Sequence, residues 1–268
     1  MDILWKDQPA RIREMGTGAP VVLVHGYPLD GAMWSGVARA LMPRFRVLKP
    51  DLPGRGDTPA PAGGTMEEYA DFIEAILQGL GTPAGVAGFS MGGYAALALA
   101  RRHPASLGAL ALVDTRAQPD DDAGRAKRDE AIATARSAGL APIADAMVPK
   151  LLSPASAGNR DLVERVRRII LRQKPETAAA DLAAMRDRSD SRPDLASLSV
   201  PTLVVVGAED ALTPPADSEA MASSIRGSRL TTIPGAGHLA PMERPGAVAA
   251  ALSEFFGGTL RPPDALPA

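Results

Sequence analysis

The chain of 268 residues is long enough for one domain with a large buried core plus an insertion. Its composition, 46% hydrophobic and 22% charged, is ordinary for a globular protein, and its formal net charge of −2 gives no reason to expect nucleic acid or an anionic membrane as a partner. With no cysteine and only three widely spaced histidines, the sequence excludes a disulfide framework, a thiol nucleophile and a histidine-rich metal cluster.

The amino terminus, residues 1–7, is charged and lacks the continuous apolar core of a signal peptide. Because the longest apolar runs also fall far short of a membrane span, we expect a cytoplasmic protein with no membrane partner. Downstream, short runs of strand character alternate with helical stretches, which predicts an α/β fold with a mostly parallel central sheet flanked by helices. Buried strands are predicted at residues 21–24, 86–87, 110–113, 203–206 and 230–233.

Helical patterns fill the connections between these strands. Residues 33–41 and 245–256 fit helices, and residues 50–57 form a turn-rich loop after the apolar pair at 47–48. Another helix begins after Thr65, its predicted amino-terminal cap, with Glu68 at the capping-box position. This helix has an apolar face and stops at Gly81; the face consists of Tyr69, Phe72, Ile73, Ile76, Leu77 and Leu80.

The character of the chain changes between Asp114 and Ser199, where charges are frequent and no convincing strand occurs. This stretch is too long for an ordinary crossover, so we predict a helical cap over the carboxyl ends of the strands. The predicted division is a core of residues 1–115 and 199–258, a cap of residues 116–198 and a frayed tail of residues 259–268. The clearest cap helix spans 159–174 and buries Leu162, Val163, Val166, Ile169 and Ile170, while the charged runs at 120–122 and 165–168 are expected to be solvated.

The motif Gly88-Phe89-Ser90-Met91-Gly92 reads G-x-S-x-G and lies between a predicted strand and an alanine- and leucine-rich helical run. A serine in so tight a turn needs a positive φ, and the glycines around it allow strand and helix to pass closely. Such a turn holds the hydroxyl clear of the backbone at a helix start, which predicts Ser90 as a nucleophile.

A serine hydroxyl is a poor nucleophile at neutral pH unless a base takes its proton. His103 is about three helical turns from Ser90, too far to act, and is expected to contact carbonyls at the helix end. His25 ends a strand beside the turn that we assign to oxyanion stabilisation. His238 lies in a glycine-rich loop, residues 234–239, from which a side chain can reach over the strand ends, so we favour it as the base.

The base needs a carboxylate that holds its tautomer and stabilises the imidazolium ion. Asp210 follows the strand at 203–206 and is favoured, with Glu209 and Asp114 as alternatives. The backbone N–H groups of Met91 and Tyr27 are candidate donors to an oxyanion. Candidate substrate-pocket residues are Tyr27, Met33, Trp34, Leu239 and Met242, with Arg116 as a possible anchor for an anionic substrate; each also fits an ordinary structural role.

From about residue 19 to residue 256 the chain resembles the α/β-hydrolase family. The resemblance rests on His25-Gly26, the G-x-S-x-G motif, Asp210 and His238 in that order, and on the loop at 51–56. It implies an eight-stranded sheet with a helical cap and catalysis without a metal or organic cofactor. Serine at position 90 argues against the dehalogenase and epoxide-hydrolase branches, and the chain is most similar to serine carboxylesterases and the 3-oxoadipate enol-lactonase-like group.

The sequence therefore predicts a serine hydrolase that cleaves small carboxylic esters or lactones through an acyl-enzyme on Ser90. Perhydrolase, acyltransferase or lyase chemistry would use the same serine and the same donors, so it stays open as an alternative. A ligand receptor without catalytic activity is a further alternative, against which the complete set of Ser90, His238 and Asp210 argues.

Overall fold

The computed structural model describes residues 1–56, 58 and 64–260. Its strands are β1 (Asp2–Trp5), β2 (Gln8–Arg11), β3 (Arg13–Met15), β4 (Ala19–Val24), β5 (Phe45–Lys49), β6 (Ala84–Phe89), β7 (Leu107–Val113), β8 (Thr202–Gly207) and β9 (Arg229–Ile233). Seven of them form one sheet in the order β3-β5-β4-β6-β7-β8-β9. Only β3 runs antiparallel to its neighbour in this sheet, which confirms the predicted, mostly parallel architecture.

The sheet differs from the eight strands that we expected. Within the described residues, β1 and β2 pair with each other in a separate antiparallel ribbon, so the main sheet has seven strands. Strands β1, β2 and β3 were not predicted from the sequence, since residues 2–15 mix charged and apolar side chains and are largely exposed. The predicted strand at 230–233 exists as β9, but it is a mostly exposed edge strand and is not buried as expected.

Helices flank this sheet, as predicted. They are α1 (Ser35–Leu41), α2 (Met66–Leu80), α3 (Met91–Arg102), α4 (Asp122–Ala138), α5 (Ala141–Leu151), α6 (Pro154–Ala157), α7 (Arg160–Leu171), α8 (Pro175–Arg186), α9 (Pro215–Ser224), α10 (Ala240–Glu243) and α11 (Pro245–Thr259). Short 3₁₀ helices occur at Gly31–Trp34, Pro104–Ser106 and Arg192–Ser197. Helices α9 and α10 were not predicted from the sequence, because they are short or carry many polar residues.

Local signals explain where α2 begins and ends. The Thr65 hydroxyl accepts the Glu68 N–H at 3.1 Å, and Gly81 ends the helix in the left-handed region with φ +66°. The capping box is incomplete, because the Glu68 carboxylate accepts the N–H of Gly64 and pairs with Lys6. The predicted loop at 50–57 is described except for Asp57, and the part of the predicted tail beyond residue 260 also lies outside the described residues.

Helices α4 to α8 lie between β7 and β8, within residues 116–198, which we call the cap segment. Helix α7 buries Leu162, Val166, Ile169 and Ile170, but Val163 is only half-buried. The helix ends at Leu171, earlier than predicted, because Pro175 begins α8 and disfavours a helical residue before it. The expectation of solvated charges is wrong for Asp120, which is half-buried and pairs with Arg128 and Arg188.

Two clusters of polar side chains join the cap segment to core loops. The Asp30 carboxylate accepts hydrogen bonds from Arg172 at 2.5 and 2.6 Å and from Gln173 at 2.8 Å. Asp181 is fully buried, pairs with Arg55 and accepts the Tyr69 hydroxyl at 2.5 Å. Both clusters hold the cap segment against loops that follow the carboxyl ends of β4 and β5.

Candidate active site

The turn between β6 and α3 holds Ser90 in a strained conformation, with φ +50° and ψ −115°. Its glycines are required by close backbone approach. A Cβ atom on Gly88 would lie 2.4 Å from the Gly92 carbonyl oxygen, and one on Gly92 would lie 2.6 Å from the carbonyl oxygens of Val24 and His25. The N–H of Ser90 donates to the Val113 carbonyl at 3.0 Å, which ties the turn to β7. The sequence prediction of a positive φ at Ser90 is confirmed.

Ser90, His238 and Asp210 form one continuous hydrogen-bonded chain. His238 Nε2 lies 3.0 Å from Ser90 Oγ, and His238 Nδ1 lies 2.8 Å from Asp210 Oδ2. His238 and Asp210 are buried, whereas Ser90 is partly exposed. The loops after β6, β8 and β9 therefore meet at one edge of the sheet, where the carboxyl ends of parallel strands lie together.

Close backbone packing brings the two loops of this chain together. A Cβ atom on Gly207, the last residue of β8, would lie 2.1 Å from the Gly237 carbonyl oxygen. The N–H of Glu209 also donates to the Ala236 carbonyl at 2.9 Å. Only a glycine at the end of β8 leaves room for the His238 loop to approach so closely.

The Asp210 carboxylate is held ionised by its surroundings. Burial by itself raises the pKa of Asp210, but the charge of His238 and hydrogen bonds from His238 and Thr213 lower that pKa below its ordinary value. Thr213 contributes its N–H at 2.9 Å and its hydroxyl at 2.6 Å, and the N–H of Leu212 adds a third donor at 2.8 Å. This role of Thr213 was not predicted from the sequence, although a position three residues after an aspartate is typical of such a turn.

The other two histidines have different partners. His25 is fully buried, and its Nε2 accepts the Leu52 N–H at 3.0 Å while Nδ1 lies 3.0 Å from the Gly26 carbonyl. Burial and then the charge of Arg55 lower the pKa of His25 to about 4, so this ring is neutral at pH 7. His103 Nε2 lies 3.0 Å from the Asp71 carboxylate, so the expected contact with helix-end carbonyls is wrong.

The two alternative carboxylates have other surroundings. Asp114 is fully buried and accepts the Gly207 N–H at 2.7 Å. Burial and then the charge of Asp210 raise the pKa of Asp114 well above its ordinary value. Glu209 is exposed. In the described structure the carboxylate in contact with His238 is that of Asp210.

The candidate oxyanion donors lie beside Ser90. Met91 is the first residue of α3, and the first N–H groups of a helix have no acceptor within it. A Cβ atom on Gly26 would lie 3.0 Å from the Ser90 Cβ, so the turn that leads into Tyr27 packs against the serine. The roles of the Met91 and Tyr27 N–H groups stay a prediction.

The candidate pocket residues fall into two groups. Leu239, Met33, Trp34 and Met242 are buried in the core, and the Trp34 ring packs edge-on against Phe89 with centroids 6.3 Å apart. Arg116 donates to the Leu212 carbonyl at 3.1 Å and lines a small cavity beside Tyr94 and Arg188, and Ser90 is not among the residues that line it. Their roles toward a substrate stay predictions.

Across residues 1–56, 58 and 64–260, the histidine, aspartate and glutamate side chains form no group of three or more that is suited to hold a metal ion. No helix in the same part of the chain combines the length and apolar character that crossing a membrane requires.

The protein has a mostly parallel sheet flanked by helices, with a serine, a histidine and an aspartate in hydrogen-bond contact on loops after its strands. This arrangement is typical of the hydrolase class of α/β proteins. The chain belongs to the Alpha/beta hydrolase family, whose model matches residues 21–251. It is therefore a member of a family of hydrolytic enzymes, and the predicted resemblance and fold class are confirmed.

Relatives of this chain include proteins named as esterases and as an enol-lactonase. The chain is 39% identical to the structure of a thermophilic esterase from Thermogutta terrifontis, with a TM-score of 0.92 and coverage of 97% of this chain and 98% of that chain. It is 26% identical to the enol-lactonase from Burkholderia xenovorans LB400, with a TM-score of 0.88 and coverage of 96% and 100%. The pimeloyl-[acyl-carrier protein] methyl ester esterase of Aromatoleum aromaticum is 31% identical over 258 residues, covering 89% of this chain and 98% of the relative.

Proposed function

We propose that this chain hydrolyses small carboxylic esters or lactones through an acyl-enzyme formed on Ser90. The observation that carries the proposal is the continuous chain from Ser90 Oγ to His238 Nε2 at 3.0 Å and from His238 Nδ1 to Asp210 Oδ2 at 2.8 Å. A hydroxyl, a base and an orienting carboxylate in this relation make up the geometry of nucleophilic acyl transfer.

In the proposed reaction, Ser90 Oγ forms a bond to the ester carbonyl carbon while His238 Nε2 takes the hydroxyl proton. The N–H groups of Met91 and Tyr27 donate to the resulting oxyanion, each contributing about 3–4 kcal/mol to transition-state stabilisation. The bond to the alcohol then breaks, and the protonated His238 gives its proton to the leaving oxygen. A water molecule repeats the sequence on the acyl-enzyme and releases the carboxylic acid.

Asp210 remains a carboxylate throughout this cycle. Its pKa lies below the ordinary value, so it does not take a proton from His238 and instead stabilises the imidazolium ion that forms. Thr213 and Leu212 hold the carboxylate oxygens in the orientation that meets Nδ1.

The relatives support the proposed substrate class, and contacts of the cap segment support a role for it at the substrate site. Relatives named as an esterase, a methyl ester esterase and an enol-lactonase support an ester or lactone carbonyl as the reacting group. We also propose that residues 116–198 act as a cap over the strand ends and form one wall of the substrate site, because Arg172, Gln173 and Asp181 bind loops at that edge. The cytoplasmic location stays a prediction of the sequence.

The direct test compares the wild type with Ser90→Ala in fluorophosphonate labelling and in hydrolysis of p-nitrophenyl acetate. We expect labelling to vanish and kcat to fall by about 10⁴- to 10⁶-fold, since the nucleophile is removed. The matched control is Ser106→Ala, because Ser106 is half-buried and its hydroxyl donates to Glu74 of α2 rather than to a residue of the Ser90–His238–Asp210 chain. Full labelling of Ser90→Ala would overturn the proposal.

A further inference from the structure

Glu243 is a buried carboxylate that joins the cap segment to the loop of His238. Its Oε1 accepts the N–H of Gly237 at 2.8 Å, and its Oε2 accepts the N–H of Ser153 at 2.8 Å. Only 8% of the Glu243 surface is exposed, and Ser153 is fully buried. One carboxylate therefore holds the residue before His238 on one side and the cap segment on the other.

The cap segment contacts the same loop at two further points. The N–H of Leu239 donates to the Leu151 carbonyl at 3.0 Å, and the Ser153 hydroxyl donates to the Gly235 carbonyl at 3.2 Å. A Cβ atom on Gly237 would lie 2.5 Å from the Ser153 nitrogen. The backbone on both sides of His238 is thus in direct contact with the end of α5 and the start of α6.

These contacts complete the support of His238. Its ring is oriented by Asp210 at 2.8 Å and packs against Phe89 with centroids 5.1 Å apart. The backbone before His238 contains glycines at 235 and 237, which by themselves allow the loop many conformations. The hydrogen bonds to Glu243 and to the cap segment remove that freedom.

We propose that Glu243 is a positioning residue, which keeps His238 Nε2 within reach of Ser90 Oγ by locking the His238 loop to the cap segment. The inference rests on the proposed function. Both partners of the Glu243 carboxylate are N–H donors, so a carboxylate satisfies both, whereas the neutral amide of glutamine satisfies one and turns an NH₂ group toward the other. A displacement of the cap segment would by the same contacts displace His238.

The test is Glu243→Gln, which keeps the size of the side chain and breaks one of the two hydrogen bonds. Its matched control is Glu74→Gln, because Glu74 is also a buried glutamate, with bonds from Ser106 at 2.8 Å and Gln78 at 3.1 Å, but belongs to α2. Both variants are assayed at a temperature where circular dichroism shows them fully folded. The readouts are kcat and KM for p-nitrophenyl acetate, the rate of fluorophosphonate labelling, and amide hydrogen exchange in peptides covering 151–153 and 235–239.

We expect Glu243→Gln to lower kcat and the labelling rate by about 10- to 100-fold with KM within twofold, because a misplaced base slows proton transfer more than it weakens binding. Amide exchange should accelerate in both peptides, and Glu74→Gln should match the wild type. Wild-type kcat in Glu243→Gln, or unchanged amide exchange at 235–239, would overturn the inference.

The two proposals fail in different ways. A wild type without Ser90-dependent hydrolysis would refute the proposed function, and with it the positioning role. Normal Ser90-dependent hydrolysis in both the wild type and Glu243→Gln would refute only the role of Glu243.

Discussion

The sheet and the junction with the cap segment are held together by different forces. Strands β4, β6 and β8 are buried along their whole length and consist mainly of apolar residues, so the hydrophobic effect stabilises them without regard to direction. The junction depends on buried polar groups at Asp30, Asp181 and Glu243, each with partners in defined positions. The proposed active site lies where these two regions meet, so a rigid core supplies Ser90 and Asp210, while directional contacts hold the loop of His238.

The largest expected effect belongs to the core side of this comparison. Asp210→Asn should lower kcat by about 10⁴-fold without unfolding the protein, because an amide cannot stabilise the imidazolium ion and presents the wrong partner to Nδ1. The measurement is hydrolysis of p-nitrophenyl acetate together with a thermal melt.

The matched control is Asp114→Asn. Asp114 accepts the Gly207 N–H, which an amide oxygen can also accept, and the carboxylate in contact with His238 is that of Asp210, so the amide variant should keep nearly full activity. If Asp114→Asn loses activity and Asp210→Asn keeps it, the assignment of the carboxylate is wrong.

On the junction side, Asp181→Asn should lower the free energy of unfolding by about 3–5 kcal/mol, because it leaves the buried guanidinium of Arg55 without a countercharge. Urea unfolding at pH 7 measures this change. Asp145→Asn, which breaks an exposed ion pair of the cap segment with Arg167, should leave the midpoint nearly unchanged. Equal urea midpoints for the two variants would show that the buried ion pair stabilises the protein no more than the exposed one.

The core should also respond to pH through His25. The unfolded chain takes up a proton on this residue below about pH 6.5, whereas the folded protein, with a pKa of about 4, does not. Stability attributable to His25 is therefore complete above pH 6.5 and decreases by about 3 kcal/mol as the pH falls toward 4. The free energy of unfolding of His25→Gln should therefore depend less on pH across this range than that of the wild type. An equal pH dependence of the two proteins would contradict the lowered pKa of His25.

The smallest effects should be alike in the two regions. Thr65→Ala removes the side chain at the amino-terminal cap position of α2 in the core. Asn159→Ala does the same for α7, where the Asn159 side chain accepts the Leu162 N–H at 3.1 Å. Each should lower the free energy of unfolding by about 1 kcal/mol. A much smaller loss for Asn159→Ala would show that the cap segment unfolds separately from the core.

The sequence predicted what depends on local patterns. Ser90, Asp210 and His238 each follow a predicted strand, and the carboxyl ends of parallel strands meet at one edge, so their convergence is deducible. The contact between Glu243 and Ser153 joins residues 90 positions apart and leaves no periodic signal in either segment. The ion pair of Arg55 with Asp181, separated by 126 positions, escaped prediction for the same reason.

The strands at the amino terminus and the partner of His103 also could not be predicted from the sequence. The residues of β1 to β3 mix charged and apolar side chains and are largely exposed, so these strands lack the continuous apolar pattern that marked β4 and β8. His103 shows a similar limit, because its partner Asp71 lies on α2, a different helix from the one that positions it.

The crowded glycines of the β6–α3 turn have a consequence for how this enzyme can diversify. Ser90 is the proposed nucleophile, and its exchange for cysteine or aspartate would change the proposed reactive atom without adding a Cβ atom that the chain does not already have. Positions 88 and 92 do not allow such an exchange, because a Cβ atom at either position would lie within 2.6 Å of a carbonyl oxygen. Under the proposed function, an exchange at position 90 would therefore alter the reaction that the scaffold performs, whereas the glycines at 88 and 92 must stay as they are.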